Sequence, residues 1–297
     1  DISVKPDHYL SGNSRLSGFY QFTHFNADNG NVLGDFFGAT GTTYMHRTRL
    51  DWAHNIRPNL INQVLVGFTR WYDNLAKNNF GQNVGFAAGL RGTYDGNCPE
   101  ILVGGSSNIA ICQGSAANIK GNLTSTFNET LMWNHRAHNI KMGLQIIRWN
   151  ENFNNRGSAT GAYSFTEGGS ANTNSTGGNY WASFLLGYPT GVSMTAPTVL
   201  GVRQTYFALF VQDDWRVSRK LTINAGLRWD VNVPYKELHG QITGVDLNRP
   251  NPGAGNLPGA LVFYGDGPGR TGYDRPGKVH WNNFGPRLGL AYQVTPR

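Results

Sequence analysis

The sequence has little charge: Asp, Glu, Lys and Arg together make up 14% of its 297 residues, where soluble domains carry about 25%. Long apolar runs are missing too. Those present are short, as in Tyr206 to Val211 or Phe184, Leu185 and Leu186, and a membrane-crossing helix needs about 20 apolar residues. No transmembrane helix can form from this chain. Cysteine is almost absent, since Cys98 and Cys112 are the only two, and a metal site needs more ligands than that. In a loop rich in Gly, Ser and Asn the pair reads as one disulfide made in an oxidising compartment. Runs of basic residues are also lacking. The formal charge of +7 is scattered along the chain, which argues against a nucleic-acid partner. No charged start and apolar stretch follow Asp1, so a signal peptide is either removed or lies outside these residues.

What the chain does have is aromatics at 12% and 39 glycines. That mixture suits an all-β architecture of short strands and many turns, with a weakly apolar face hidden in lipid. Candidate strands lie near 1–10, 15–27, 42–56, 60–75, 122–135, 138–153, 203–217, 220–235 and 283–296. Their connections alternate short and long. The short ones are Ser11–Ser14, Arg57–Asn59, Arg136–Ala137 and Ser218–Arg219; the long ones are 28–41, 76–121, 154–202 and 236–282. Outer-membrane barrels of bacteria show this asymmetry, with short periplasmic turns and long extracellular loops around antiparallel strands. The pattern predicts an antiparallel transmembrane β-barrel segment of about nine strands, in contact with outer-membrane lipid.

A period of two supports that reading. Leu221, Ile223, Ala225, Leu227, Trp229 and Val231 share one face, while Thr222, Asn224, Gly226, Arg228, Asp230 and Asn232 share the other. Phe207, Leu209, Val211, Trp215 and Val217 continue the apolar side, broken by Asp213 near the periplasmic end, where a charge costs little. Arg47, Arg49 and Asp51 oppose Thr48, Leu50 and Trp52 in the same way. Arg47, Arg49, Asp51, Arg228 and Asp230 are therefore candidates for the lumen, with Arg228–Asp230 and Arg49–Asp51 as charge ladders that either hold neighbouring strands or meet solute.

Three hairpins carry tryptophan twice: Trp52 and Trp71, Trp133 and Trp149, Trp215 and Trp229. The two levels differ by about seven to nine residues, roughly 17–22 Å on tilted strands, somewhat under the ~25 Å apolar band. Trp52, Trp133, Trp215 and Trp229 are candidates for aromatic girdles; Trp71 and Trp149 fall on the polar parity unless a bulge shifts the register.

Other motifs have plainer readings. Gly267-Pro268-Gly269-Arg270-Thr271-Gly272 matches a dinucleotide G-x-G-x-x-G, but no strand leads directly into it and no helix follows, so it reads as a loop. His135 and His138 lack further metal ligands and read as a surface turn. Asn26, Asp28 and Gly30 echo a calcium loop without its closing Glu. Neither G-x-S-x-G nor H-E-x-x-H occurs, so the chain is read as having no enzymatic activity and no cofactor.

The stretch YFALFVQDDWRVSRKLTINAGLRWD at 206–230 resembles a hairpin of TonB-dependent outer-membrane receptors, and NFGPRLGLAYQVTP at 283–296 resembles the strand after it. Upstream, HNIKMGLQIIRWNENFNN, GAYSFTEGG and WASFLLGYPTG are similar in order and spacing to the Oar-like branch of that family. The resemblance implies a 22-stranded barrel that moves a bulky solute, driven through TonB by an inner-membrane proton motor. Neither a plug domain nor a TonB box is found in 1–297, and the strand count near nine is odd, which implies an internal segment of one longer barrel domain with TonB reached through other regions. The competing reading is a structural or adhesive cell-surface β-protein that assembles between chains.

Overall fold

A computed structural model of the chain describes residues 1–31, 33–104, 109–112, 117–174 and 176–295. Its strands in chain order are β1 (Ile2–Val4), β2 (Asp7–Ser11), β3 (Ser14–Asn29), β4 (Ala39–Arg57), β5 (Leu60–Lys77), β6 (Glu100–Val103), β7 (Ile109–Ile111), β8 (Ala117–His135), β9 (His138–Asn155), β10 (Ala162–Phe165), β11 (Gly191–Ser193), β12 (Thr198–Arg216), β13 (Leu221–Glu237), β14 (Thr243–Asn251), β15 (Leu257–Phe263) and β16 (Phe284–Tyr292). The helical pieces are short, the longest being Tyr180–Leu185. Among the described residues no helix is long and apolar enough to cross a membrane.

One large antiparallel sheet runs β1-β3-β4-β5-β8-β9-β12-β13-β16, with β2 also paired to β3. β1 pairs with Tyr20–Phe22 and β2 with Ser14–Ser17 of the same neighbour. They are one edge strand interrupted at Pro6, whose carbonyl still accepts from Gly18 N at 2.8 Å. Proline at an edge removes a donor where no ladder needs one. The wall is thus nine strands wide, as the connection pattern predicts. Among the described residues its two edges do not pair with each other, so it is an open wall and not a closed cylinder.

The short connections fold for local reasons. Arg136 takes φ of 53°, the left-handed conformation that a two-residue hairpin loop demands. At the next hairpin the Ser218 hydroxyl accepts from Lys220 N and Leu221 N at 3.2 and 3.1 Å, closing the chain without a glycine. The wall has little dry core of its own. Fully buried apolar residues lie mostly in the connections, as with Val103, Phe165 and Val262, while Ala208 and Val231 are rare cases within the sheet. Leu209, Val211, Leu227, Leu288 and Leu290 are all exposed. A soluble sandwich would bury such residues against a second sheet; here lipid must cover them.

Every long strand outruns its predicted span at the loop end. β8 begins at Ala117, not at 122, and β12 at Thr198, not at 203. The added residues, among them Asn118, Asn154, Thr198 and Gly201, include few large apolar side chains, as suits strand ends beyond the hydrocarbon band.

Candidate functional site

The polar face is built by register. Asp51, Leu65, Asn128, Gln145, Ala208 and Asp230 are successive partners across β4, β5, β8, β9, β12 and β13. Arg47, Arg49, Asp51, Arg228 and Asp230 therefore share one face, as their parity predicts. Arg228 is the hub of a network there: its Nε donates to Asp230 Oδ1 at 2.9 Å, and its Nη2 to Gln145 Oε1 at 3.1 Å and Tyr206 Oη at 2.8 Å. The Tyr206 hydroxyl donates in turn to Asp230. Four side chains on three strands so satisfy one another, which suits a charge beside an aqueous space. The expected Arg49–Asp51 ladder does not form among the described residues. Asp51 accepts instead from Gln63 Nε2 at 2.9 Å, and Arg47 Nη1 donates to Gln21 Oε1 at 3.3 Å. Gln63, on the adjoining strand, places its amide nitrogen within 3.0 Å of both Asp51 carboxylate oxygens and takes the place expected of Arg49.

The apolar face carries Trp52, Trp133, Trp215 and Trp229. One cross-strand row on it reads Leu16, Trp52, Val64, Glu129, Leu144, Leu209, Trp229 and Phe284. At the short-turn end each tryptophan has a histidine beside it: Trp52 and His54 have ring centroids 5.4 Å apart, Trp133 and His135 5.1 Å, and Trp215 and His138 5.3 Å. His135 and His138 are cross-strand partners flanking the Arg136 turn. No register shift occurs along the pairing of β8 with β9 or with β5, so Trp71 and Trp149 stay on the polar face and join no girdle. The loop-side belt is made by residues that the tryptophan count overlooks. Phe22 and Tyr44 stack at 6.4 Å, His24 and Tyr44 at 4.8 Å, and Tyr44 and Tyr72 at 6.3 Å, a ladder across β3, β4 and β5. Facing aromatics at matching heights were the available signal.

Above the wall the β5–β8 and β9–β12 connections contribute strands to one layer. β6 pairs parallel with β10, β10 antiparallel with β11, and β6 with β7, so a sheet is shared between connections far apart in sequence. Cys98 and Cys112 form the expected disulfide, with Cα atoms 6.0 Å apart. Lys77, the last residue of β5, donates its ammonium to the Cys112 carbonyl, and Asn79 Nδ2 donates to Cys112 Sγ at 3.2 Å and to Phe36 O at 2.8 Å. The clasp is thereby tied to the rim. Thr160 Oγ1 donates to Asp95 Oδ1 at 2.5 Å, joining the two connections a second time.

The last connection holds the hairpin β14–β15 over a cavity of about 660 Å³, lined by Val245, Leu247, Arg249, Tyr264, Tyr273 and Lys278 among others. Its walls are pinned by Arg270, the arginine of the GPGRTG stretch, whose Nη1 donates to Gly240 O and Tyr264 O at 2.5 and 2.7 Å. That stretch is a loop with its cation spent on carbonyls. Lys236 binds Asp274 at 2.8 Å, and this hydrogen bond holds the Asp274 carboxyl below its ordinary range. Asn26 and Asp28 lie within β3, where Asn26 accepts from Thr42 Oγ1 at 3.2 Å, so no calcium loop exists there. Among the described residues no cluster of three His, Cys, Asp or Glu is placed to hold a metal.

A sheet with one largely apolar and exposed face, aromatic rings clustered toward both of its ends, tight turns at one rim and folded connections at the other has the form of a transmembrane β-barrel wall. Comparison with protein-family models agrees over the whole length: the model described as outer membrane beta barrel domain matches residues 1–297, and the chain belongs to that family. It is a protein of the bacterial outer membrane. No curated protein matches the chain.

Proposed function

We propose that this wall belongs to a TonB-dependent receptor of the Oar-like branch, which moves a bulky solute across the outer membrane without enzymatic chemistry. The observation that carries the reading is the folded layer on the loop rim. Connections that served only to join strands would need no shared sheet and no disulfide, whereas a solute-capturing surface must hold its shape before the solute arrives. The cavity beneath β14–β15 is within the size range of small-molecule sites and combines Tyr264 and Tyr273 with Arg249 and Lys278. In this reading the apolar face meets lipid, and Arg47, Arg49, Asp51, Arg228 and Asp230 face the lumen or the plug that fills it. The sequence resemblance at 138–230 and 283–296 supplies the link to TonB and the proton motor.

The complete gene product decides the matter. A plug and TonB box ahead of this segment, together with capture of the purified TonB periplasmic domain by the intact receptor, is the expected result. A complete gene product that lacks both and captures no TonB would sink the transport reading and leave the barrel wall standing.

A further inference from the structure

On the apolar face the aliphatic band ends abruptly in arginine. β5 reads Val64, Val66, Phe68, Arg70, Tyr72, and β9 reads Met142, Leu144, Ile146, Arg148, Asn150, Asn152, each on one side of its strand. β12 descends through Arg203 and Thr205 to Phe207 and Leu209. The registers Arg70↔Leu123, Leu123↔Asn150 and Asn150↔Arg203 bring the three arginines together on adjoining strands. They surround a cleft of about 400 Å³ whose lining includes no acidic residue. Gly121 supplies its floor, with nothing within 4 Å of where a side chain would begin.

None of the three makes an ion pair among the described residues. Arg203 is fixed by its neighbours, donating to Glu151 O at 2.9 Å, Val202 O at 2.8 Å and Asn152 Oδ1 at 2.8 Å. Arg148 donates only to Asn150 Oδ1 at 3.3 Å, and both Arg148 and Arg70 are exposed. The patch lies on the long-loop side of the band alone. The opposite end of the same face carries His135, His138 and Asp213, with Arg57 standing apart at the β4–β5 turn as the partner of Leu60.

Three cations with free donors, on the lipid side, at the level where hydrocarbon gives way to headgroups, require an anionic partner that is itself part of the membrane. A soluble anion would gain nothing from the band below. We propose that the cleft binds the phosphate-bearing headgroup of an outer-leaflet lipid, with the acyl chains lying on Phe68, Phe127 and Ile146. This rests on the apolar face meeting lipid and is independent of what the barrel transports.

The test uses the complete gene product in neutral detergent, with lipid retention read by native mass spectrometry against dioleoyl phosphatidic acid, dioleoyl phosphatidylcholine and inorganic phosphate. Phosphatidic acid is expected to be retained and phosphatidylcholine not, and the combined Arg70→Gln, Arg148→Gln, Arg203→Gln variant is expected to weaken retention by about tenfold or more. Gly121→Leu, which fills the floor with every charge intact, is expected to do the same, so the outcome does not hang on whether the triple variant folds. Heat-modifiable gel mobility reports folding for each. Unchanged retention by folded variants, or equal retention of phosphatidylcholine, overturns the site. Displacement by equimolar inorganic phosphate makes it a free-anion site and overturns the lipid assignment. Failure of the lipid-face reading shows separately, as a water-accessible label at Ile146→Cys.

Discussion

His138 Nδ1 and Asp213 Oδ2 meet at 2.6 Å across β9 and β12, on the face that carries Leu209 and Val211. The pair explains how a carboxylate persists beside Trp215, whose ring stacks on His138. Removing one member leaves the other without its partner, and such orphans cost about 1–3 kcal/mol. His138→Leu should therefore destabilise the barrel by that amount, while His138→Leu with Asp213→Leu should cost clearly less. Urea unfolding in lipid vesicles, followed by tryptophan fluorescence, measures both; equal losses would remove the coupling.

Gly143 marks a close approach within the wall. A Cβ there would strike the Glu129 carbonyl oxygen and come within 3.0 Å of the Phe210 ring. Gly143→Ala should lower stability by about 1–3 kcal/mol, the usual range for overpacking. Gly121→Ala on the adjoining strand has open space and should be close to neutral. A neutral Gly143→Ala in the same unfolding assay contradicts the packing.

Neighbouring residues on one strand should report opposite solvents. Leu144 belongs to the row with Leu209 and Trp229, and Gln145 to the row with Asp230. In the assembled barrel Gln145→Cys should react with a membrane-impermeant maleimide and Leu144→Cys should not, while a lipid-soluble quencher should reach a probe at 144. Reversed labelling would turn the wall inside out.

Glu129 stands in the middle of the apolar row, between Val64 and Leu144, and no hydrogen bond from its side chain to a described residue is formed. Charges at mid-bilayer on a lipid-facing strand are destabilising, acidic ones less than basic ones. Glu129→Leu should raise the urea midpoint and speed assembly into vesicles. A lowered midpoint would show that the carboxylate has a partner in the complete barrel.

The clasp should matter to the rim and not to the wall. The disulfide spans a sequence separation of 14, and closing a loop near that size contributes about 3 kcal/mol. Paired Cys98→Ser and Cys112→Ser changes should open 78–104 to protease while heat-modifiable mobility is kept. Loss of the folded barrel itself would show that rim and wall fold as one unit.

Faces were legible in the sequence and the layer above them was not. Alternation such as Leu221 to Val231 is a local property, read from neighbours on one strand, and it puts Trp52, Trp133, Trp215 and Trp229 on one face and Arg47, Arg49, Asp51, Arg228 and Asp230 on the other. Trp71 and Trp149 were decided only by the unbroken register of β5 and β9. The parallel pairing of β6 with β10 joins Glu100 to Ala162; nothing in either short stretch announces the other. The arginine cleft shows the same limit, since Arg70, Arg148 and Arg203 become neighbours only once three registers are known.

The nine-strand width has a directional consequence. In an antiparallel sheet direction alternates, so the first and ninth strands, β1/β2 and β16, point the same way. Bent round to touch, they would meet as a parallel seam. Keeping the alternation requires an odd number of further strands between Ile2 and Tyr292 around the circumference, from this polypeptide or another. Until they arrive, both margins hold unpaired amides and carbonyls that cost several kcal/mol each in hydrocarbon, so the wall enters the membrane only as part of a completed circuit.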